Sequence, residues 1–343
     1  MNKKLEITLV TTCFNEILNV EHWIKDIENQ TKQVDEICIV DAGSTDGTFE
    51  ILKNWANRSA YIKVEMVKKC NVAQGRNAAI KMANSDIIIS TDMGCRIDHK
   101  WVEEIIIKFV DDPAINVVAG NFAADIKTIH TKVAKLIYSL KNGYKPKLDS
   151  VFLPSSRSIA YRKNVWEQIG GYAEWLSFAG DDTLFATKIH SLGFNMICAP
   201  DSIVYWGRHE QLSDYVKEEE RYGLGNGEFS FQMKNFLNES LPQLLKYPMM
   251  IVTIFILTLS ISTYDTSFLF LGLSTGLLST YYWLVKIRRC FRSIHHNNLF
   301  KIKYSDIFVL VLLSDILTFG YVKGYLKGYL KPLYKIVNKK IKR

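Results

Sequence analysis

Two uncharged runs near the carboxyl end set the first limit on the fold. Tyr247–Tyr264 has 18 residues and Thr266–Val285 has 20, with only Asp265 between them. As helices they reach about 27 and 30 Å, enough to cross a bilayer's hydrocarbon core. A single intervening residue makes them a tight hairpin. Lys286, Arg288, Arg289, Arg292, Lys301 and Lys303 follow the second run. The positive-inside bias puts this end, and the amino-terminal domain with it, in the cytoplasm.

A third apolar stretch, at about 305–322, is harder to place. Its core, Ile307–Val322, holds Asp315 and covers only about 24 Å as a helix. Eight Lys and Arg residues lie between Lys323 and Arg343, and a crossing would carry them outward against the charge bias. An interfacial or re-entrant helix is therefore favoured over a spanning one. Gly320, Gly324 and Gly328 recur every four residues, a face suited to close helix packing. A loosely packed helix without a partner fits the spacing equally well.

The net charge of +8 is unevenly spread. Leu244–Arg343 carries 15 basic and 3 acidic residues, against 28 and 32 before it. Basic residues edging apolar blocks point to membrane lipid as the partner and not to nucleic acid. The six cysteines include no C-x-x-C pair and read as reduced residues of a cytosolic domain. Met1–Ile7 has no apolar leader segment, so no signal peptide is expected. The sequons at Asn57 and Asn238 then carry no meaning.

The first 125 residues alternate between two periodicities. Strands are expected at Ile7–Thr12, Glu36–Asp41, Ile62–Val67, Ile87–Thr91 and Asn116–Ala119. Helices are expected at Asn19–Glu28, Thr48–Asn57, Ala73–Ala83 and Lys100–Val110. Such alternation predicts an α/β fold with a mixed, mainly parallel sheet flanked by helices. Four polar loops then share one sheet edge: Thr11–Glu16, Asp41–Thr48, Asn71–Asn77 and Thr91–Arg96. Open α/β sheets bind ligands at such an edge. Farther on, a helix over Lys163–Ile169 stops at Gly170-Gly171, and Gly180-Asp-Asp-Thr183 opens another. Strands are expected at Asn195–Ala199 and near Ile203–Trp206. A charged helix, Ser213–Arg221, runs into Tyr222-Gly-Leu-Gly-Asn-Gly227.

Several residues have both a structural and a chemical reading. Asp41 and Asp92 end strands, where a carboxylate is often a turn former. Together they can also accept hydrogen bonds from a base and a ribose, or ligate a hard cation. Asp46 can cap the following helix. Arg76, in Gly75-Arg-Asn77, stands at a helix start against the dipole preference, which suggests an anionic partner such as a diphosphate. Asp181 and Asp182 repel each other, which raises the pKa of one and permits general-base chemistry. Tyr172, Trp175 and Phe178 either stack on a sugar or fill the core. No G-x-G-x-x-G or P-loop is present, which weakens dinucleotide and NTPase readings.

In order along the chain stand Thr11-Thr-Cys-Phe-Asn-Glu16, Val40-Asp-Ala-Gly-Ser-Thr-Asp-Gly-Thr48, Gly75-Arg-Asn77, Thr91-Asp-Met-Gly94 and Gly170-Gly-Tyr172 with Gly180-Asp-Asp-Thr-Leu-Phe185. Over about residues 5–230 this series resembles the family 2 glycosyltransferases, inverting enzymes of the GT-A fold. The resemblance implies a catalytic domain at 1–235, with a nucleotide-sugar half (5–125) and an acceptor half (126–235). A membrane domain would follow at 236–343. It implies nucleotide-sugar contacts from Thr11, Asn15, Glu16, Asp41, Gly43, Ser44, Asp46, Gly75, Arg76, Asn77, Asp92, Met93 and Gly94. Within these, Asp41 would meet the base, and Asp92 the ribose and metal-diphosphate as the first acid of a D-x-D motif. Asp182, beside Asp181, would be the general base. Tyr172, Trp175 and Arg221 would serve the acceptor or diphosphate side, Arg221 being placed like the arginine of a Q-x-x-R-W motif. The donor would be a UDP- or GDP-sugar, the acceptor a lipid-linked or cell-surface glycan, and the cofactor Mg²⁺ or Mn²⁺.

Two departures stand out. Gly94 replaces the second acid of D-x-D, so a metal would rest on Asp92, with Asp98 or His209 as possible helpers. Asp181 replaces a glutamate. Gly94 also admits another reading, a catalytically degenerate, membrane-attached glycan-binding or assembly protein. A nucleotidyltransferase is a third, disfavoured by the membrane segments.

Overall fold

The computed structural model describes residues 5–144, 146–149, 151–296 and 299–341. The first four residues and the last two, on which part of the leader and tail readings rest, lie outside them. The chain forms two compact units. The first is Met1–Thr128 with Tyr144–Arg208, and the second is Ile129–Gly143 with His209–Arg343. Residues 209–235, expected with the catalytic domain, thus group with the carboxyl-terminal helices.

The first unit is built on an eight-stranded sheet of order β3-β2-β1-β4-β7-β6-β8-β5. The strands are β1 (Ile7–Cys13), β2 (Glu36–Asp41), β3 (Ile62–Met66), β4 (Ile87–Ser90), β5 (Cys95–Ile97), β6 (Val117–Ala124), β7 (Ile159–Arg162) and β8 (Met196–Trp206). Helices α1 (Val20–Glu28), α2 (Thr48–Ala56), α3 (Val72–Met82), α4 (Trp101–Asp111), α6 (Lys163–Ile169) and α7 (Asp181–Ser191) flank it; α5 (Lys132–Leu140) belongs to the second unit. Strands β3, β2, β1 and β4 are mutually parallel, whereas β7 runs antiparallel to β4 and β6.

Period-2 alternation sends successive strand residues to opposite faces, and both faces here are covered. Leu9, Ile37 and Ile39 join Trp23, Trp55 and Trp101 in one core. Val10, Cys38 and Val40 join Ala79, Ile80, Val165 and Phe185 in the other. Burial on both sides explains the unbroken apolar run of β2, since strands covered on two faces lose the polar alternation. Each fully buried large side chain contributes about 1.5–3 kcal/mol.

Two local expectations are corrected. The strands expected at 195–199 and 203–206 are one strand, β8. Its register against β6 jumps from Gly120↔Ala199 to Asn121↔Ile203, because Pro200 has no N–H to give to the ladder. The loop expected at Asn71–Asn77 ends at Asn71, and the helix expected from Ala73 starts at Val72. Asn71 caps α3, its side chain accepting from Gln74 N while Gln74 reaches back to the Asn71 N–H. Gly75, Arg76 and Asn77 are therefore helical. Gly75 is there for contact: a Cβ on it would stand 2.2 Å from Thr12 Oγ1.

In the second unit, α8 (Leu212–Glu228) continues through the glycine run expected to end it. Its partner is α12 (Ile307–Ile341). A Cβ on Gly223 or Gly227 would lie 2.1 Å from the carbonyl oxygens of Tyr321 and Tyr325, and one on Gly324 or Gly328 2.1 Å from those of Glu220 and Leu224. Backbone thus lies on backbone, as small-residue ladders permit. Lys323 pairs with Glu220 (2.8 Å), and Lys331 pairs with Glu228. The stretch expected at 305–322 is accordingly one part of a much longer helix.

A three-residue turn, α9 (Met233–Asn235), leads through a π-helical turn into α10 (Leu241–Thr263), and α11 (Thr266–His296) follows. Asp265 stops the hairpin turn, accepting from Ser267 N at 2.8 Å. Met233–Thr263, Thr266–His295 and Tyr304–Lys331 are each long and apolar enough to cross a membrane. Helix α11 runs well past the expected 266–285, continuing through its basic residues. Asp315 of α12 is buried and accepts from Lys246 of α10 (2.7 Å), Lys286 of α11 (3.1 Å) and the Tyr247 hydroxyl (2.5 Å). The charge that made this stretch hard to place therefore ties three helices together.

Candidate active site

The parallel strands β1, β2 and β4 end on one edge, and their loops meet there. Asp41 closes β2 fully buried; its Oδ1 accepts from Gly43 N (2.8 Å) and Ser44 N (2.7 Å). This turns the loop back on itself, with Gly43 at φ 95°. Ser44 Oγ accepts from Asn15 N (2.8 Å), and Asn15 Oδ1 accepts from Thr45 N (2.9 Å). Asp46 accepts from Thr48 N (3.1 Å) and Ile17 N (3.0 Å) and so ties the two loops together, while the N-cap position of α2 falls to left-handed Gly47 and not to Asp46. Thr11 is buried in β1, and its hydroxyl has no hydrogen-bond partner among the described residues.

Glu16 lies in the β1 loop. Its N–H donates to Thr48 Oγ1 (2.9 Å), and its carboxylate accepts from Asn19 Nδ2 (2.6 Å). Burial pushes its carboxyl above the usual range, and neighbouring Asp92 and Asp46 add to this against the Asn19 hydrogen bond.

Arg76 is the centre of the arrangement. It is buried on α3 and donates to Asp92 Oδ1 (2.6 Å) and Asp181 Oδ2 (2.5 Å). The anionic partner expected of Arg76 is thus a pair of carboxylates from the chain itself. Asp92 lies in the turn from β4 to β5, with Met93 buried beside it. Burial alone would raise the Asp92 carboxyl, but Arg76 and Arg157 outweigh it and hold the group below the ordinary range. Asp181 goes the other way. Burial raises it, and Asp182 and Asp92 add to the rise, while Arg76 opposes it.

Asp181 and Asp182 open α7 behind left-handed Gly180. Their environments differ. Asp181 is buried against Arg76, whereas Asp182 is half-buried, accepting from Ser155 Oγ (3.1 Å) and Thr183 N (2.8 Å). Arg157 links the two ends of the site. Its Nη1 donates to Ser155 Oγ (3.1 Å), its Nε stands 3.8 Å from Asp92 Oδ2, and its guanidinium lies 3.9 Å from the Trp206 ring centre. Arg157 belongs to no motif recognisable in the sequence. Its signal was the polar run Ser155-Ser-Arg-Ser158 ahead of an apolar strand, and its relevance depended on β7 pairing antiparallel with β4 (Ser90↔Ile159).

Asn77 and Tyr172 are buried in structural contacts. Asn77 donates to the Tyr172 carbonyl (2.9 Å) and Glu174 Oε1 (2.9 Å) and accepts from Trp166 Nε1 and Tyr172 N. It fastens the loop after α6. Tyr172 is buried and stacks on Phe185 at 4.3 Å, so its ring is core. Trp175 and Phe178 are largely exposed. Asp98 accepts from Lys100 N (3.0 Å) at the start of α4, with β5 between it and Asp92. His209 and Arg221 belong to the second unit. There the His209 ring meets Tyr215 edge-on at 5.3 Å, and Arg221 is exposed on α8.

Among the described residues no group of three or more His, Cys, Asp or Glu could hold a metal ion. Asp92 nevertheless has a second carboxylate nearby. A Cβ on Gly94 would stand 3.6 and 3.8 Å from the two Glu16 carboxylate oxygens. Two carboxylates suit a hard divalent cation that takes its remaining oxygens from a bound diphosphate and water.

Comparisons with known proteins bear on the family and the fold. The model of Glycosyl transferase family group 2 matches residues 90–316, and that of Glycosyl transferase family 2 matches residues 8–170. A cholesterol galactosyltransferase of Borreliella burgdorferi is 24% identical over 48% of this chain and 48% of its own length. A poly-beta-1,6-N-acetyl-D-glucosamine synthase of Staphylococcus aureus is 23% identical over 65% of this chain and 55% of its own. The O-antigen chain rhamnosyltransferase RfbN of Salmonella typhimurium is 25% identical over 64% and 70%. The chain thus spans about half the length of the first two. A mannosyltransferase from Pyrobaculum calidifontis, solved with GDP-Man and Mn²⁺, shares the fold, with a TM-score of 0.53 at 14% identity over 95% of this chain and 88% of its own. The chain belongs to the family 2 glycosyltransferases.

Proposed function

We propose that the protein is an inverting glycosyltransferase. It takes a sugar from a UDP- or GDP-sugar and passes it to a lipid-linked or cell-surface glycan acceptor at the cytoplasmic membrane face. The observation that carries the reading is the Arg76 bridge, 2.6 Å to Asp92 and 2.5 Å to Asp181. It joins the loop assigned to the donor with the carboxylate pair assigned to the reaction.

In this reading Asp182 takes the proton of an acceptor hydroxyl. The oxygen forms a bond to the anomeric carbon from the face opposite the diphosphate. The carbon–oxygen bond to the diphosphate breaks, its electron pair leaving with the nucleoside diphosphate. One displacement inverts the configuration. Asp181 stays locked on Arg76, and Ser155 and the Thr183 N–H hold Asp182 in place. Asp92, with a divalent cation when one is bound, faces the diphosphate; the cation supplies positive charge against the charge that develops there. Arg157 is a second source of that charge.

The acceptor class is supported by the relatives, named for a sterol, an amino-sugar polymer and an O-antigen chain. Three apolar helices in the same chain favour a membrane-bound acceptor. Incubation of the purified full chain with a panel of UDP- and GDP-sugars, with and without membrane lipid, tests this. Release of nucleoside diphosphate is expected for one donor class, with a product of inverted anomeric configuration by NMR. Nucleotide binding without release under any condition would favour the degenerate binding protein that Gly94 also admits. Release of pyrophosphate would mark a nucleotidyltransferase instead.

A further inference from the structure

The departure at Gly94 removes one carboxylate from the expected D-x-D set, and the fold brings another to the same spot. Strand β1 lies beside β4 in parallel register, Val10 opposite Ser90. The loop that follows β1 therefore runs next to the turn that follows β4. Glu16 is six residues past Val10 and Gly94 four past Ser90. The first carbon of any side chain at position 94 would meet the Glu16 oxygens at 3.6 and 3.8 Å. These are ordinary contact distances, so the Glu16 carboxylate lies against the point from which a residue-94 side chain would grow.

Its bonding leaves room for a ligand. Among the described residues Glu16 accepts one side-chain hydrogen bond, from Asn19 Nδ2, and no Lys, Arg or His pairs with it. Asp92, by contrast, has a guanidinium on each side. We propose that Glu16 is the second carboxylate of the donor's divalent-cation site, replacing in space the acid that the chain lacks at Gly94. The proposal rests on the glycosyltransferase reading and deepens it. Glu16 and Asp92 would each give one oxygen, and the diphosphate and water the rest. A cation shared in this way is held weakly by the protein alone and firmly once nucleotide is bound.

The test reads metal binding directly. Mn²⁺ is titrated into the full-length protein with UDP or GDP, and free Mn²⁺ is followed by electron paramagnetic resonance. Wild-type protein is expected to bind Mn²⁺ when nucleoside diphosphate is present. Glu16→Gln keeps an acceptor for Asn19 but loses the charge, and should weaken Mn²⁺ binding by about tenfold or more. Gly94 has no positive φ, so an aspartate fits its backbone. The double variant Glu16→Gln/Gly94→Asp should recover most of the lost affinity. Asn19→Ala removes only the structural hydrogen bond and should leave Mn²⁺ binding near wild type; its thermal melt reports any loss of folding. Unchanged Mn²⁺ affinity in Glu16→Gln, or no recovery in the double variant, overturns the proposal. So does wild-type nucleotide binding that ignores Mn²⁺. Absence of any nucleotide binding by wild type would instead defeat the glycosyltransferase reading, and this proposal with it.

Discussion

At the scale of single residues, the site is a chain of charges in which each carboxylate has its own neighbour. Arg76 holds Asp92 and Asp181, and Arg157 spans from Asp92 to the serine on Asp182. Replacing Arg76 by Met would leave the buried Asp181 without its cation and Asp92 with Arg157 alone, at 3.8 Å. Breaking a buried pair in this way costs about 3–5 kcal/mol, so a clear drop in melting temperature is expected, partly reversed by Asp181→Asn. A melt unchanged from wild type would contradict the geometry. The sequence carried the acids and Arg76 in recognisable spacings. It did not carry Arg157, whose place depends on an antiparallel pairing, or the withdrawal of Asn77 and Tyr172 into packing, which depends on neighbours roughly 90 positions along the chain.

Glu36 offers a pH test. Its carboxylate accepts from Thr8 Oγ1 (2.8 Å), Asn84 N (2.8 Å) and Asn84 Nδ2 (2.9 Å), and pairs with Lys63. Burial would raise this carboxyl, but the Lys63, Asn84 and Thr8 hydrogen bonds bring it below its ordinary value. Because the folded value lies below the unfolded one, the group stabilises the fold fully above the ordinary glutamate range. That stability is lost as pH falls through the depressed folded value. Denaturant melts of wild type and Glu36→Gln should differ by about 1–3 kcal/mol at neutral pH and converge in acid. A gap that widens in acid would have the wrong sign.

At the scale of elements, the glycines of α8 and α12 form one joint. A Cβ at Gly324 has no room against the Glu220 carbonyl, whereas one at Gly276 would meet only the Thr253 methyl at 3.2 Å. Gly324→Leu should destabilise the helix pair by about 1–3 kcal/mol or more through overpacking, and Gly276→Ala much less. Equal melts for the two variants would count against the joint. The period-four spacing on α12 was legible as a packing face. Its partner was not, because Gly223 and Gly227 read as loop punctuation while no second helix was in view.

At the scale of the whole molecule, that joint bears on topology. Helix α8 carries Lys217-Glu-Glu-Glu-Arg221, which cannot lie in hydrocarbon at modest cost. The 320–328 stretch of α12 packs along this helix. The remaining 307–319 segment spans only about 20 Å, short of a bilayer core. These lengths and charges favour an interfacial α12, with α10 and α11 as the crossing hairpin, although all three helices are apolar and long enough to cross. Single cysteines placed at Ser267 and Asn338 in a cysteine-free chain should then differ in intact cells. The first should react with an impermeant maleimide and the second should not. Labelling at both would make α12 a third span.

The base assignment is tested most directly by transfer rate and nucleoside diphosphate affinity measured together in Asp182→Asn. Loss of a general base lowers transfer by about 10²–10⁴-fold, and the account predicts that loss with nucleotide affinity unchanged. Full transfer activity in the variant would contradict it.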